Sequence, residues 1–229
     1  MLGLGTGIVH GGASSEFSLS DIAGLKAWYQ FQTGVSISGA NATDWADSSG
    51  NTSENMNLRA SGTVTYHSGS GAFGFSDANN SILQTASDQL NLGVFTIFGV
   101  VDVVEAGATN EAVIGRAGND EFRLFRAAGN KNVRLRANGV NYDITMTDAL
   151  PTGKFLFTIT RVSDGTFAIR IDGGAQGSVA TTITDLFDFT RIGNGSTDSS
   201  VFEIAIYDQE LSSTDISTIE ADINSRVGL

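Results

Sequence analysis

Two neighbouring segments between Lys154 and Gly174 carry large apolar residues with a period of two, and this pattern constrains the fold more than any other feature of the chain. The apolar residues stand at every second position: Phe155, Phe157, Ile159, Phe167, Ile169 and Ile171. Successive side chains of a β-strand point to opposite faces, so each segment places its apolar residues on one face. The polar turn between the segments contains Gly165, which is free to adopt positive φ, and a β-hairpin is therefore predicted.

Short segments of the same kind recur along the chain, with turn residues about every ten positions. Residues 93–104 are almost continuously apolar, which predicts a strand buried on both faces. Four alternating segments follow at 111–115, 121–127, 132–137 and 140–146, and Asn138-Gly139 is the strongest hairpin signal. Further strands are expected at 25–31, 63–66, 81–83, 189–193 and 201–207. Together they predict an all-β, antiparallel two-sheet sandwich.

The two ends of the chain differ from this pattern. One helix is expected at the C-terminal end, because Ser212 and Asp215 fit a capping box. An apolar stripe follows at Ile216, Ile219, Ile223 and Val227. A helical turn is expected at 20–24. Residues 1–16 are interleaved with glycine and predict either a flexible tail or an arm that becomes ordered on a partner. The expected organisation is thus a flexible N-terminal arm at 1–16 and one jelly-roll domain at 17–229.

Composition excludes several classes of function. A net charge of −12 is incompatible with wrapping nucleic acid and would suit calcium. The chain has no cysteine, which excludes thiolate catalysis, cysteine-based zinc sites and iron–sulfur clusters. No apolar run reaches about 18 residues, so no membrane span is expected. The first residues lack the basic region and apolar core of a Sec signal peptide, so work outside a cell would require another exit, such as lysis.

Three parts of the sequence resemble a known family. They are residues 21–28 followed by 45–51, residues 167–173 ending in Asp172-Gly173, and residues 192–207 leading through Leu211-Ser212 into the terminal helix. In order and spacing they resemble the concanavalin A-like lectin/glucanase, laminin G-like jelly-roll domains. The resemblance implies two antiparallel sheets and a role as a lectin, an adhesion domain or an exterior module of a phage particle.

The sequence departs from the enzymatic members of that superfamily. Their Glu-x-Asp-x-x-Glu strand is absent, and Glu203, at the corresponding place, has no second carboxylate on its own face of the strand. Retaining glycoside hydrolysis requires two carboxyl groups about 5–5.5 Å apart. Gly69 to Gly74 read G-x-G-x-x-G but precede a loop rather than a helix, and His67 lacks a nucleophile elbow. We therefore expect a protein that is not an enzyme.

Basic residues are concentrated in one part of this acidic chain: six of the 13 lysines and arginines lie between Arg116 and Arg136. Arg123, Arg134 and Arg136 alternate with apolar residues, which predicts that they share a solvent face of neighbouring strands. They are either a solvated face that balances Glu121 and Asp143, or a seat for an acidic glycan or an acidic neighbouring subunit. Arginine forks match carboxylates in geometry.

Two further groups are candidate ligand contacts. Asp44, Asp47 and Asn51, with Ser49, offer oxygens of the kind that calcium prefers, although the same residues form Asx turns. Trp45, Tyr66 and Tyr142 lie near turns, where an aromatic ring can stack on a sugar. For Trp28 and Phe98, packing in the core is expected instead.

These observations lead to one prediction and one alternative. The chain is predicted to be a non-enzymatic structural protein of a phage virion: a capsid decoration, knob or fibre module that exposes a lectin-like sandwich at the virion surface. Three partners are expected: other virion proteins bound through the N-terminal arm, further copies of the chain in a homo-oligomer, and a host-surface glycan. No cofactor other than calcium is considered. The alternative is a secreted, extracellular carbohydrate-binding or adhesion module.

Overall fold

The computed structural model describes residues 17–103, 111–116, 119–124, 132–182, 184–193 and 199–229. Its strands within these ranges are β1 (Leu25–Tyr29), β2 (Val35–Ser38), β3 (Asn41–Trp45), β4 (Leu58–Ser61), β5 (Thr65–His67), β6 (Ala72–Phe75), β7 (Ile82–Gln84), β8 (Leu90–Leu92), β9 (Phe95–Val103), β10 (Glu111–Arg116), β11 (Asp120–Leu124), β12 (Asn132–Ala137), β13 (Val140–Thr145), β14 (Lys154–Arg161), β15 (Phe167–Ile171), β16 (Gly174–Val179), β17 (Phe187–Phe189), β18 (Arg191–Ile192) and β19 (Ser199–Tyr207). The helices are α1 (Ser213–Val227) and two 3₁₀ turns at Leu19–Asp21 and Asp77–Asn79.

The strands form two antiparallel layers. The first sheet has the order β16-β15-β14-β9-β19, and β1 and β6 both pair with the far edge of β19. The second sheet has the order β13-β12-β11-β10-β18-β7-β4-β3-β2. β5 pairs with β3 and with β6, so the two layers are joined at one corner. A small ladder of β8 and β17 stands apart from both.

The main core lies between the layers. Phe122 on β11 faces Phe157 on β14 with ring centroids 4.9 Å apart, and Leu135, Phe155 and Ile159 are buried beside them. Burial of these large apolar side chains is the main driving force for pairing the sheets. The predicted all-β two-sheet sandwich is confirmed.

Helix α1 covers the opposite face of the first sheet. Its buried residues Ile219 and Ile223 belong to a second apolar cluster with Phe98, Leu156 and Ala205. Ser212 caps the helix, since its Oγ accepts the N–H of Asp215 at 3.1 Å. The central strands are therefore buried on both faces, as the apolar run at 93–104 predicts, and the predicted helix and its apolar stripe are confirmed. No helix in the described ranges is long and apolar enough to cross a membrane.

The two predicted hairpins are also present. Gly165, in the turn between β14 and β15, has φ of +85°, and Asn138 and Gly139, between β12 and β13, have φ of +47° and +78°. Two consecutive positive φ values give the type I′ turn, whose twist matches that of the flanking strands.

The sequence predicts that Leu25 and Ala27 share one face of the strand at 25–31, and that Val201 and Ile204 lie on opposite faces of the strand at 201–207. Both predictions are wrong because bulges interrupt the alternation. In β1 the register shifts between Leu25 and Ala27, so that Ala27 lies in the main core while Leu25 packs in the cluster under α1. In β19 the register shifts between Val201 and Glu203, and Val201 shares the main core with Ile204 instead of facing away from it. A bulge adds one residue to one strand and reverses the faces that follow it.

Several short elements differ from the sequence-based expectations. The helical turn begins at Leu19 rather than at residue 20, and the segment around Trp45, predicted to be a turn, contains strand β3. β2, β4, β6, β8 and β16 were not predicted, and the expected strand at 189–193 is two pieces, β17 and β18. These strands have two to six residues, too few to show a period. The proposed arm at 1–16, and with it the division at residue 17, lies outside the described residues.

Candidate functional site

The outer face of the second sheet carries one row of residues that are cross-strand partners over eight neighbouring strands. In order from β3 to β13, this transverse row is Asp44, Arg59, Gln84, Arg191, Gly115, Glu121, Arg136 and Asn141. The residues one step along the same strands, among them Leu83, Ile192 and Phe122, point into the core. Neighbouring strands lie about 4.8 Å apart, so the row is about 34 Å long. It is polar throughout except at its glycine.

Glu121 lies at the centre of an arginine cluster within this row. Although it stands on the outer face, its side chain is only 4% exposed, because arginines surround it. Arg123 donates to Oε2 through Nε at 3.0 Å and also through Nη2. Arg191 donates from Nη2 to Oε1 at 3.2 Å, and Nη1 of Arg136 lies 4.0 Å from Oε2. Three guanidinium groups thus share one carboxylate, and these four described side chains together carry a net charge of two positive units in an acidic chain.

Gly115 makes this cluster possible. It lies on β10, between Arg191 on β18 and Glu121 on β11. Its φ is +139°, and a Cβ built there would lie 2.0 Å from the carbonyl oxygen of Asp120. Because β10 presents no side chain at this point, the long side chains of its two neighbours meet above it.

Arg134 has a different environment from the cluster. Its Nε and Nη2 bind Oδ1 and Oδ2 of Asp143 at 2.6 and 3.0 Å. These hydrogen bonds lower the pKa of Asp143 and raise that of Arg134. The pKa of Arg191, in contrast, is lowered by burial, although Glu121 opposes the shift. An arginine remains protonated despite such a shift, so the cluster keeps its charge.

The predicted arginine face is therefore present. Arg123, Arg134 and Arg136 lie on the outer face, and Arg123 is the direct cross-strand partner of Arg134. Glu121 and Asp143 are their acidic partners, as the alternative of a charge-balanced face predicts. Both interpretations are compatible with this geometry, and ligand binding by these arginines stays a prediction.

The aromatic candidates do not join the arginines. Trp45 is 0% exposed, and its ring stacks on Phe73 at a centroid distance of 4.0 Å, so it has no face left for a sugar and that expectation is corrected. Tyr142 is the cross-strand partner of Leu135 and is half-buried on the inner side of the edge strand β13. Tyr66 packs on Phe73 at 5.1 Å. Trp28 and Phe98 lie in the cluster under α1, which confirms the expected core packing.

The calcium candidates have separate environments. Asp44 lies on the transverse row, 3.7 Å from Nε of Arg59. Asp47 accepts the N–H groups of Trp28 at 2.8 Å and Ser49 at 2.9 Å, in the manner of an Asx turn. Asn51 donates to the carbonyl of Lys26 at 3.0 Å. The described part of the chain holds no group of three or more histidine or acidic side chains arranged for a metal. The hydrogen bonds of Asp47 fit the Asx-turn alternative, and calcium binding stays the other alternative.

Glu203, the acidic residue that the sequence comparison considered as a catalytic candidate, serves the packing of α1. It is 0% exposed and accepts the Trp28 indole N–H at 2.8 Å and the Phe31 backbone N–H at 3.2 Å. Arg226 on α1 donates to both carboxylate oxygens of Glu203, from Nε to Oε2 at 3.1 Å and from Nη2 to Oε1 at 2.6 Å. With every oxygen engaged and no exposure, this carboxylate is unavailable to a substrate.

Sequence reasoning missed Arg59, Gln84 and Arg191 as members of the surface. Each is a polar residue next to a buried apolar one: Leu58, Leu83 and Ile192, respectively. A single polar–apolar pair is only a weak indication of a strand with one solvent-exposed face. The pairing of β18 with β10 and with β7 joins segments that are far apart in sequence, and no local pattern reveals it.

No family model and no sequence of a curated protein matches this chain. Among solved structures, domain 4 of AbnA, an extracellular GH43 arabinanase from Geobacillus stearothermophilus in complex with arabinotriose, is similar over 86% of this chain and 98% of that one, with TM-score 0.64 and 17% identity. A structure of botulinum neurotoxin type C, whose cell entry depends on interaction with two ganglioside molecules, covers 90% of this chain with TM-score 0.59 and 15% identity; this chain covers 52% of it.

Trypanosoma rangeli sialidase is similar over 89% of this chain and 33% of that one, with TM-score 0.55 and 15% identity. The chain spans about half of the length of the botulinum neurotoxin structures that it matches. At such low identities these likenesses show the fold alone, an antiparallel β-sandwich.

Proposed function

We propose that this chain is a non-enzymatic, glycan-binding sandwich displayed on an exterior surface, and that the outer face of its second sheet is the binding surface. The observation that carries the proposal is the arginine cluster around Glu121, where three guanidinium groups share one carboxylate. Sugars are bound by planar hydrogen-bonding groups set on a rigid support, and a sheet provides such support. Gln84 and Asn141 add exposed amides on either side of the cluster.

The similar structures support a glycan as the ligand. The arabinanase domain was solved with arabinotriose, and the neurotoxin interacts with gangliosides. Shared fold is only an analogy for function, so the proposal depends on the surface of this chain. The absence of exposure at Glu203 supports a binding role rather than hydrolysis.

For the biological setting we propose a phage virion protein, in which residues 1–16 attach the sandwich to other virion proteins and several copies assemble symmetrically. The second candidate is a secreted carbohydrate-binding module, and the likeness to a domain of an extracellular arabinanase, over 98% of that domain, favours it.

A glycan array tests the binding function. Wild-type protein is expected to bind a subset of glycans, and Arg136→Glu to abolish that binding, since it reverses one charge of the cluster. Lys26→Glu is the matched control: Lys26 lies on β1 of the first sheet, paired with Asp208 at 3.1 Å, and its reversal should leave binding unchanged. Absence of glycan binding, or equal binding by Arg136→Glu, would contradict the proposal.

Deletion of residues 1–16 distinguishes the two settings. A virion protein without these residues should fold but fail to enter particles, which antibody labelling of purified particles would detect. A secreted module should bind its glycan equally well with or without them.

A further inference from the structure

We infer that the glycan is an acidic polysaccharide, which lies along the transverse row with a carboxylate bound by Arg123, Arg136 and Arg191. This inference rests on the proposed glycan-binding function. It adds the chemical class of the glycan, its path along the transverse row and the residues that select it. It follows from hydrogen-bonding capacity, net charge and the shape of the face.

The first argument concerns hydrogen-bond donors. Each guanidinium carries five N–H groups, whereas a carboxylate offers about four acceptor positions. Glu121 accepts from Arg123 Nε and Nη2 and from Arg191 Nη2, and Arg136 Nε donates to the carbonyl of Gly139 at 3.3 Å. Arg123 Nη1, Arg191 Nη1 and Arg136 Nη2 have no acceptor among the described residues. They remain available to an external oxyanion.

The second argument concerns charge. The neighbouring pairs Arg134–Asp143 and Arg59–Asp44 are each neutral, whereas the four described side chains of the cluster, three arginines and Glu121, sum to two positive charges. The side chains of Arg123 and Arg191 are only 13% and 12% exposed, so water screens them weakly. A carboxylate bound there gains charge-assisted hydrogen bonds that a neutral sugar does not form.

The third argument concerns shape and apolar content. From β7 to β13, the outer-face side chains that the structure describes include one apolar residue, the half-buried Ile82. Protein partners bind chiefly through apolar and aromatic anchors, which this face lacks. Nucleic acid is disfavoured by the net charge of −12. A polar row about 34 Å long, with one cationic centre between Gln84 and Asn141, fits an extended polysaccharide with spaced acidic groups.

Matched polysaccharides test the inference. The probes are polygalacturonate, alginate, hyaluronate and polysialate, each compared with its carboxyl-reduced neutral form by titration calorimetry of the full chain at low and high salt. At least one acidic form should bind about tenfold more tightly than its neutral form, and this advantage should shrink with salt. Arg136→Gln and Arg191→Gln should each weaken binding about tenfold.

Two variants serve as controls. Lys26→Gln, on the other sheet, should change affinity less than about twofold. Arg136→Lys keeps the positive charge but lacks the planar guanidinium that can bind a carboxylate with two hydrogen bonds, so it should weaken binding by an intermediate factor. Such an intermediate loss separates recognition of the glycan carboxylate from loss of folding. Thermal melts verify that each variant is folded.

The outcomes separate the inference from the function on which it rests. Equal binding of acidic and neutral forms, with glycan-array binding intact, would overturn the acidic class and leave glycan binding standing. If no polysaccharide and no glycan on the array binds, or if the cluster captures an acidic protein subunit instead, both the acidic class and the proposed glycan-binding function are overturned.

Discussion

Arg191 and Glu121 form an ion pair across a strand to which neither belongs. They lie on β18 and β11, on either side of β10, and Nη2 of Arg191 reaches Oε1 of Glu121 at 3.2 Å above Gly115. The cluster therefore depends on three segments separated in sequence and on one position without a side chain. This dependence makes the surface sensitive to substitutions that add little volume.

Gly115→Ala should destabilise the protein by about 2–4 kcal/mol, because it adds backbone strain and a steric clash. Its φ is +139°, and the new Cβ would meet the Asp120 carbonyl oxygen. Gly139→Ala is the matched control, since Gly139 has φ of +78° but no atom within 4 Å, and it should cost about 1 kcal/mol. Urea denaturation measures both, and equal losses would contradict the close contact.

Glu203→Ala should reduce the free energy of unfolding by about 3–5 kcal/mol, because it removes a fully buried acceptor and leaves the half-buried Arg226 with Asp222 as its remaining described acidic partner. Arg226, the Trp28 indole and the Phe31 amide all lose an acceptor. The exposed Glu210→Ala should stay within about 0.5 kcal/mol.

The double variant Glu203→Ala/Arg226→Met tests the cause of that loss. It should recover part of the stability, because the guanidinium that lost Glu203 is removed as well, although Asp222 then loses the hydrogen bond that Arg226 donates to it. A single variant that costs less than about 1 kcal/mol would argue that the pair does not hold the helix on the sheet.

The protein should lose stability in alkaline solution through two buried tyrosines. Burial raises the pKa of Tyr29 and Tyr207 above the usual value, and their hydroxyls donate to the carbonyls of Met56 at 2.7 Å and Leu19 at 2.9 Å. Above about pH 10 the unfolded chain releases these protons and the folded chain keeps them, so stability falls as pH rises.

Melting temperatures measured from about pH 9 upward check this prediction, together with tyrosinate absorbance. The variant Tyr29→Phe/Tyr207→Phe should show a flatter decline. Ionisation of all four tyrosines before any loss of structure would contradict the prediction.

Asp47→Ala should cost about 2–3 kcal/mol, because the Trp28 and Ser49 amides lose a charged acceptor. Asp47→Asn keeps one oxygen and should cost less. The same variants test calcium: with its oxygens already engaged by these amides and the Ser49 hydroxyl, we expect calcium to leave the melting temperature unchanged. A rise with calcium in the wild type that Asp47→Ala abolishes would instead establish the predicted calcium site.

Part of this site could be predicted from the sequence. Arg123, Arg134 and Arg136 alternate with buried residues in consecutive hairpin strands, so their common face follows from local pattern alone. Arg191 could not be found in this way, because its strand has two residues and pairs with two distant segments. Trp45 was misplaced for a related reason: the adjacent polar residues predict a turn, but its burial depends on Phe73, far along the chain.

Local sequence was sufficient to predict the alternating strands, the two tight hairpins, the doubly buried run and the capped terminal helix, because each arises from periodicity or turn chemistry within a few residues. It could not predict which arginines share Glu121, where bulges reverse the faces of β1 and β19, or that Glu203 is buried beneath α1. Those outcomes depend on pairings between distant segments, which are selected by burial of the whole core rather than by any local signal.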